Sequence, residues 1–219
     1  MWARRISNKH LLVLDESQLH VSEAPKHTLV AEGEQQYILV SENSAYSERY
    51  DIIVVLAGDR VLPPIIYSAE DRRRLKVDGI RGFMLIDYIE DLLARAVSGL
   101  DRYPLYLLMD RASCHKTEKL LDAFRSQGCE EVVAVKLYPS KASKRLSPLD
   151  NSLFHQWKEK CRAHFPLSKR NIKSVMIQSL YDIPSKTIMA YSRQCGYTTA
   201  RSPYYDCPEP HKHGHPSSQ

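Results

Sequence analysis

Three aspartates follow or begin apolar stretches, the positions from which a carboxylate can do chemistry at the edge of a fold. Asp15 follows LLVL at 11–14, Asp110 ends PLYLLMD at 104–110, and Asp150 opens an amphipathic stretch at about 149–164. Short apolar runs of this kind predict buried strands, each delivering its carboxylate at the C-terminal end. Ligands of open α/β sheets bind at that edge. Three carboxylates brought together repel, so such a cluster persists only when cations neutralise it. An all-oxygen, highly charged set selects Mg2+ or Mn2+ over zinc. Two such ions about 3.5–4 Å apart activate a water or a 3′-hydroxyl on one side of a phosphate and stabilise the leaving oxygen on the other. The expected chemistry is phosphodiester cleavage and strand transfer, with Asp15, Asp110 and Asp150 as both metal ligands and catalytic residues.

Accessory candidates lie beside each acid. Glu16 adjoins Asp15, but neighbours on a strand face opposite ways, so a solvated or structural acid is the plainer reading. His115 lies five residues beyond Asp110, either at the mouth of the site or as an ordinary packing histidine. Lys141, Lys144 and Arg145 precede Asp150 and are expected to follow a nucleic-acid backbone. Lys158, Lys160 and Arg162 read as a solvated helix face, and the run Arg72 to Arg74 is undecided between the two roles. Trp157 shares a helical stripe with Leu153, Phe154 and Cys161, which marks it as core rather than a base-stacking platform. His211, His213 and His215 lie in a Pro-rich tail without the rigid surroundings of a metal site.

The elements that must position these residues form a mixed α/β pattern. YDIIVVLAG at 50–58 and RVLPPIIYS at 60–68 predict antiparallel strands joined at Gly58 and Asp59, with Pro63 and Pro64 confining the second to an edge. Residues 82–100 predict a helix ended by Gly99, with Phe83, Ile86, Ile89, Leu92, Leu93 and Ala96 on its buried face. A helix at 117–128 follows, with Thr117 as N-cap and Gly128 as its stop, then a strand at 131–139. A helix at about 149–164 and a helical stretch at 169–194 broken at Pro184 complete the pattern. YILV at 37–40 predicts one more short strand, and the Pro-, His- and Ser-rich tail from 202 is expected to be disordered.

The bulk numbers are compatible with this. A chain of 219 residues, 43% hydrophobic, can bury one sizeable core. Its formal charge of +5 favours polyanionic partners only mildly. Five cysteines without a CxxC pair argue against a disulfide framework and against a structural zinc site. No apolar run approaches a membrane span, and the first residues lack the apolar core of a signal peptide. The expected locations are therefore nuclear in a eukaryote and cytoplasmic otherwise, not secreted.

The segments LLVLDES, LYLLMDRASCH and YPSKASKRLSPLDNSLFHQWK resemble the three acidic signature segments of mariner and pogo-like transposases. Asp15, Asp110 and Asp150 fall on the three acidic positions, with spacings the superfamily shows, and the resemblance runs over about residues 11–197. It implies a ribonuclease-H-like mixed sheet flanked by helices, two bound Mg2+ or Mn2+ ions, and DNA as partner, with a homodimer left open. It also implies an arrangement of N-terminal extension (1–10), catalytic domain (11–197) and tail (198–219).

Two departures stand out. Arg111 occupies the position where the family most often has Asn, where it is expected either to contact DNA phosphate or to compete with metal for Asp110. Only 14 residues precede Asp15, too few for the helix-turn-helix modules that relatives carry there. The alternatives are thus a catalytically inactive or domesticated transposase remnant that binds DNA or protein, and an unrelated α/β enzyme whose acids serve other ends.

Overall fold

The computed structural model describes residues 6–22 and 48–197. The expected strand at 37–40, the tail from 198 with its three histidines, and Cys207 lie outside the described residues.

The first strand, β1 (Leu11–His20), outruns the apolar segment that announces it. Its antiparallel partner β2 (Arg49–Ala57) pairs with it from Leu12↔Ala57 to His20↔Arg49. Its parallel partner β5 (Leu105–Met109) pairs only over Leu11 to Val13. Asp15 therefore does not end the strand, as its sequence position suggests. It lies just where the parallel ladder stops and the antiparallel ladder continues, so its backbone stays ordered.

The β2 run turns at Gly58, whose φ of 69° suits a residue without a side chain, into β3 (Arg60–Val61) and β4 (Ile65–Tyr67). Both pair antiparallel with β2, and Pro63 and Pro64 separate them. With β6 (Val132–Leu137) parallel to β5, the sheet order is β3-β2-β1-β5-β6, with β4 also on β2. The expected hairpin and its edge position are both observed.

Strand alternation sends residues to two apolar layers. Leu12, Leu14, Ile53, Val55, Leu107 and Met109 pack on one face. There they meet the helix made of α2 (Gly82–Tyr88), a π turn at Ile89–Leu93 and α3 (Ala94–Ser98), together with α4 (Thr117–Ser126). Phe83, expected on the buried stripe, is 43% exposed, because Met84, Leu85 and Tyr88 fill that stripe instead. Lys116 rather than Thr117 caps α4, without a side-chain bond. A helix absent from the sequence reading, α1 (Ala69–Leu75), starts at a reciprocal capping box between Ser68 and Asp71.

Leu11, Val13, Ile52, Val54 and Leu108 face the other layer. It holds α5 (Ser143–Leu146), a π turn at Leu149–Leu153, α6 (Phe154–Ala163), α7 (Ile172–Tyr181) and α8 (Ser185–Gln194), the last two split by Pro184 as expected. Trp157 is fully buried here, its indole N–H donating to the Met176 carbonyl at 2.9 Å. A buried indole with a satisfied donor is core, as its stripe predicts. Among the described residues no helix is long and apolar enough to cross a membrane.

Candidate functional site

The β1–β5 register, carried two residues past Val13↔Leu108, sets Asp15 beside Asp110. Both have the parity of Val13 and Leu108, so they belong to the α6 face of the sheet. Asp15 is buried; one carboxylate oxygen accepts the Glu16 N–H at 2.8 Å and the other accepts the Ser147 hydroxyl at 3.4 Å. The same Ser147 oxygen accepts the Asp150 N–H at 3.3 Å, tying the π turn to β1. Asp150 itself is exposed. Burial, and then the charges of Asp150, Glu16 and Asp110, push the Asp15 carboxyl up to about 8 against the opposing Glu16 N–H bond. At neutral pH Asp15 is largely protonated.

Glu16 emerges on the opposite side of β1 and meets His115. The fully buried imidazole sits with Nε2 3.0 Å from Glu16 Oε1 and Nδ1 2.8 Å from Asp110 Oδ1. Burial alone would lower its pKa, but bonds to Cys114 and Glu16, the Glu16 charge and the Asp110 carbonyl more than reverse this, raising it to about 11. His115 is thus an imidazolium clamped between two carboxylates. Its loop is held tightly: Asp110 Oδ1 accepts the Ala112 N–H at 2.9 Å, and the His115 N–H reaches the Ala112 carbonyl at 3.0 Å. A Cβ on Gly82 would stand 2.9 Å from the Cys114 carbonyl, so only glycine lets α2 approach this loop so closely.

These contacts correct the expected chemistry. Among the described residues, the group whose possible ligand atoms lie within 4.8 Å of one another is Glu16, Cys114 and His115; Asp15, Asp110 and Asp150 form no such group. The physical cause lies in their partners. Asp110 is turned into its own loop by Ala112 and His115, Asp15 is held by Glu16 and Ser147, and Asp150 stands in solvent on a helical turn. A two-ion centre on three aspartates is therefore not what the side chains build. The cysteine pattern, which argues against a disulfide framework and a structural zinc site, does not single out Cys114, whose neighbours in this group are the adjacent His115 and the distant Glu16 rather than a second cysteine.

The basic candidates separate as well. Arg72 is buried and structural, bonded to Asp51 at 3.0 Å and to the Arg49 carbonyl at 2.9 Å. Arg162 is buried and pairs with Glu159 at 2.6 Å. Lys141, Lys144 and Arg145 are exposed, and none makes an ion pair with another described residue. Arg111 is exposed too; its Nε donates to the Tyr138 carbonyl at 2.9 Å rather than engaging Asp110. Arg111 and Lys141 line one cavity of about 250 Å³ with Asp110, Tyr138 and Ser143.

No family model and no curated protein matches the sequence. Solved structures do match, at low identity. A pre-cleavage Mos1 transpososome is 12% identical with a TM-score of 0.64, over 86% of this chain and 53% of that one. The Mos1 paired-end complex with its left transposon end is 14% identical with a TM-score of 0.62, over 86% and 52%. The isolated catalytic domain of Mos1 mariner transposase is 13% identical with a TM-score of 0.58, over 86% and 78%. This chain thus spans about half the length of the Mos1 chains in the assembled complexes. Mos1 paired-end complexes are known with Mn and with Mg. Mixed parallel and antiparallel pairing, helices on both faces and these superpositions together establish that the chain has the ribonuclease-H-like fold of a mariner transposase catalytic domain.

Proposed function

We propose that this chain is a transposase-derived module that binds DNA through its phosphate backbone and does not perform two-ion strand transfer. One observation carries the reading: the exposed cations Arg111, Lys141, Lys144 and Arg145 follow the C-terminal ends of β5 and β6 with no acidic partner among the described residues. Cations grouped without counter-charges create a positive potential that favours a polyanion. The hydrogen bond from Arg111 Nε to Tyr138 fixes the guanidinium plane and leaves its two terminal nitrogens for phosphate oxygens.

The nearby acids oppose this less than their number suggests. Asp15 carries a proton near neutral pH, and Asp110 is bonded to the His115 imidazolium. Contacts of this type position a duplex without reading its bases, so binding is weakly sequence-dependent and strongly salt-dependent. Divalent ions are not required for it.

The test is fluorescence anisotropy of a labelled duplex of arbitrary sequence, in EDTA and in Mg2+ or Mn2+. Equal binding in both, weakening as salt rises, is the expected result. Binding that needs the divalent ion, or nicking of the duplex that Asp110→Asn abolishes, would overturn the reading.

A further inference from the structure

We infer that Glu16, Cys114 and His115 form a mononuclear site for a zinc-type divalent cation, separate from the DNA surface and independent of the DNA-binding reading. Three features carry it. The first is the donor set: a carboxylate oxygen, a thiol sulfur and an imidazole nitrogen whose atoms lie within 4.8 Å of one another. Sulfur and nitrogen donors suit zinc, cobalt or nickel and are poor ligands for magnesium.

The second is the fit. A tetrahedral ion with nitrogen and oxygen ligands at about 2.0–2.1 Å holds them about 3.3 Å apart. His115 Nε2 and Glu16 Oε1 stand 3.0 Å apart, so a small opening admits the ion between them. The ion replaces the shared proton, which leaves to solvent together with the thiol proton of Cys114.

The third is the support behind the ligands. Asp110 Oδ1, 2.8 Å from His115 Nδ1, keeps that nitrogen protonated and presents Nε2 as the ligand, the carboxylate–histidine arrangement of metal sites. Asp110 acts here as a positioning residue. The close approach of Gly82 to the Cys114 carbonyl fixes the same loop. A path for the ion exists as well, since Glu16 and Cys114 line a cavity of about 470 Å³ whose other walls include Asp51, Asp78 and Ile80. Three protein ligands would leave a fourth position for water.

The test is titration of the chelator-treated full chain with Co2+, a spectroscopic stand-in for zinc, followed by competition with Zn2+. One equivalent is expected to bind with a near-ultraviolet thiolate-to-cobalt band that zinc removes. The band should vanish in Cys114→Ser, and affinity should fall 10–100-fold in Asp110→Asn, the size of effect typical for an orienting carboxylate. Circular dichroism of the metal-free variants checks that each folds, and Cys114→Ala replaces Cys114→Ser if that variant does not. Because Cys207 and three histidines lie in the tail, Cys207→Ser must leave the band unchanged. The site is refuted if no band forms, if it survives in Cys114→Ser, or if it is lost in Cys207→Ser.

Discussion

Two charged regions flank the same sheet, and their contrast separates scaffold from surface. At the β2–α1 corner, buried Asp51 is met by Arg72 at 3.0 Å and Arg49 at 2.9 Å, while Asp71 closes the capping box and takes Lys173 at 3.2 Å. Each acid there has a cation, and the Asp71 carboxyl is held down at about 2; burial opposes this, but its bonds from Ser68 and Lys173 prevail. At the β1–β5 edge the balance fails. Asp15 has only neutral donors and holds a proton, while Arg111, Lys141, Lys144 and Arg145 in the following loops have no acidic partner among the described residues. The corner uses Arg72 and Arg49 to hold a buried acid, whereas the edge leaves exposed cations that hold none among the described residues.

Breaking the corner should cost most. Arg72→Ala strands the buried Asp51 carboxylate beside Arg49 alone and is expected to remove about 3–4 kcal/mol of stability, seen as a large drop in the urea midpoint. DNA binding by the folded fraction should not change. If stability were unaffected, the corner would not be the scaffold element described here.

His115→Gln comes next, at about 2–3 kcal/mol, because Glu16 and Asp110 lose their shared cation. The His115 pKa lies above its unfolded value. Its contribution is therefore complete below about pH 6.5 and is lost as pH rises through about 11. Ring NMR signals that titrate near 6.5 would contradict the clamp.

Asp15→Asn should move stability the other way. The folded-state pKa of about 8 exceeds the ordinary carboxylate value, so Asp15 stabilises fully below pH 4 and progressively less as pH rises toward about 8. The variant should match the wild type near pH 4 and exceed it by several kcal/mol at pH 8, at about 1.4 kcal/mol for each pH unit through which the pKa is raised. Urea melts at several pH values give the crossover, and a pH-independent difference would remove the account of Asp15.

Much of this fold is readable from the chain because its signals are local. The LLVL and LYLLM runs, the Gly58 turn, Pro63 and Pro64, the Trp157 stripe and the break at Pro184 each act within a few residues. The α1 helix escapes that reading: SAED carries the capping-box pattern, but the run of three arginines after it reads as a surface tract until Arg72 is seen to cross to Asp51 on β2.

The site is less readable, since its decisive contacts are distant. Alternation places Asp15 and Glu16 on opposite faces, yet nothing within either segment says that His115 will cross to Glu16 or that Asp110 will turn back into its own loop. Asp110 and Asp150 gather near Asp15, but each of the three acids is held by its own donors or by solvent, so their ligand atoms do not close on one point. Lys141 to Arg145 and Arg72 to Arg74 look alike as sequence, and only the placement of partners distinguishes them.

The most direct test of the central claim compares duplex binding by wild type and by the Lys141→Ala, Lys144→Ala, Arg145→Ala triple variant in EDTA across a salt series. The account predicts binding by the wild type without divalent ions, and a variant of unchanged melting temperature whose log K against log salt slope is shallower by about 2–3, one contact per lost cation. An unchanged slope and affinity in the variant would contradict it.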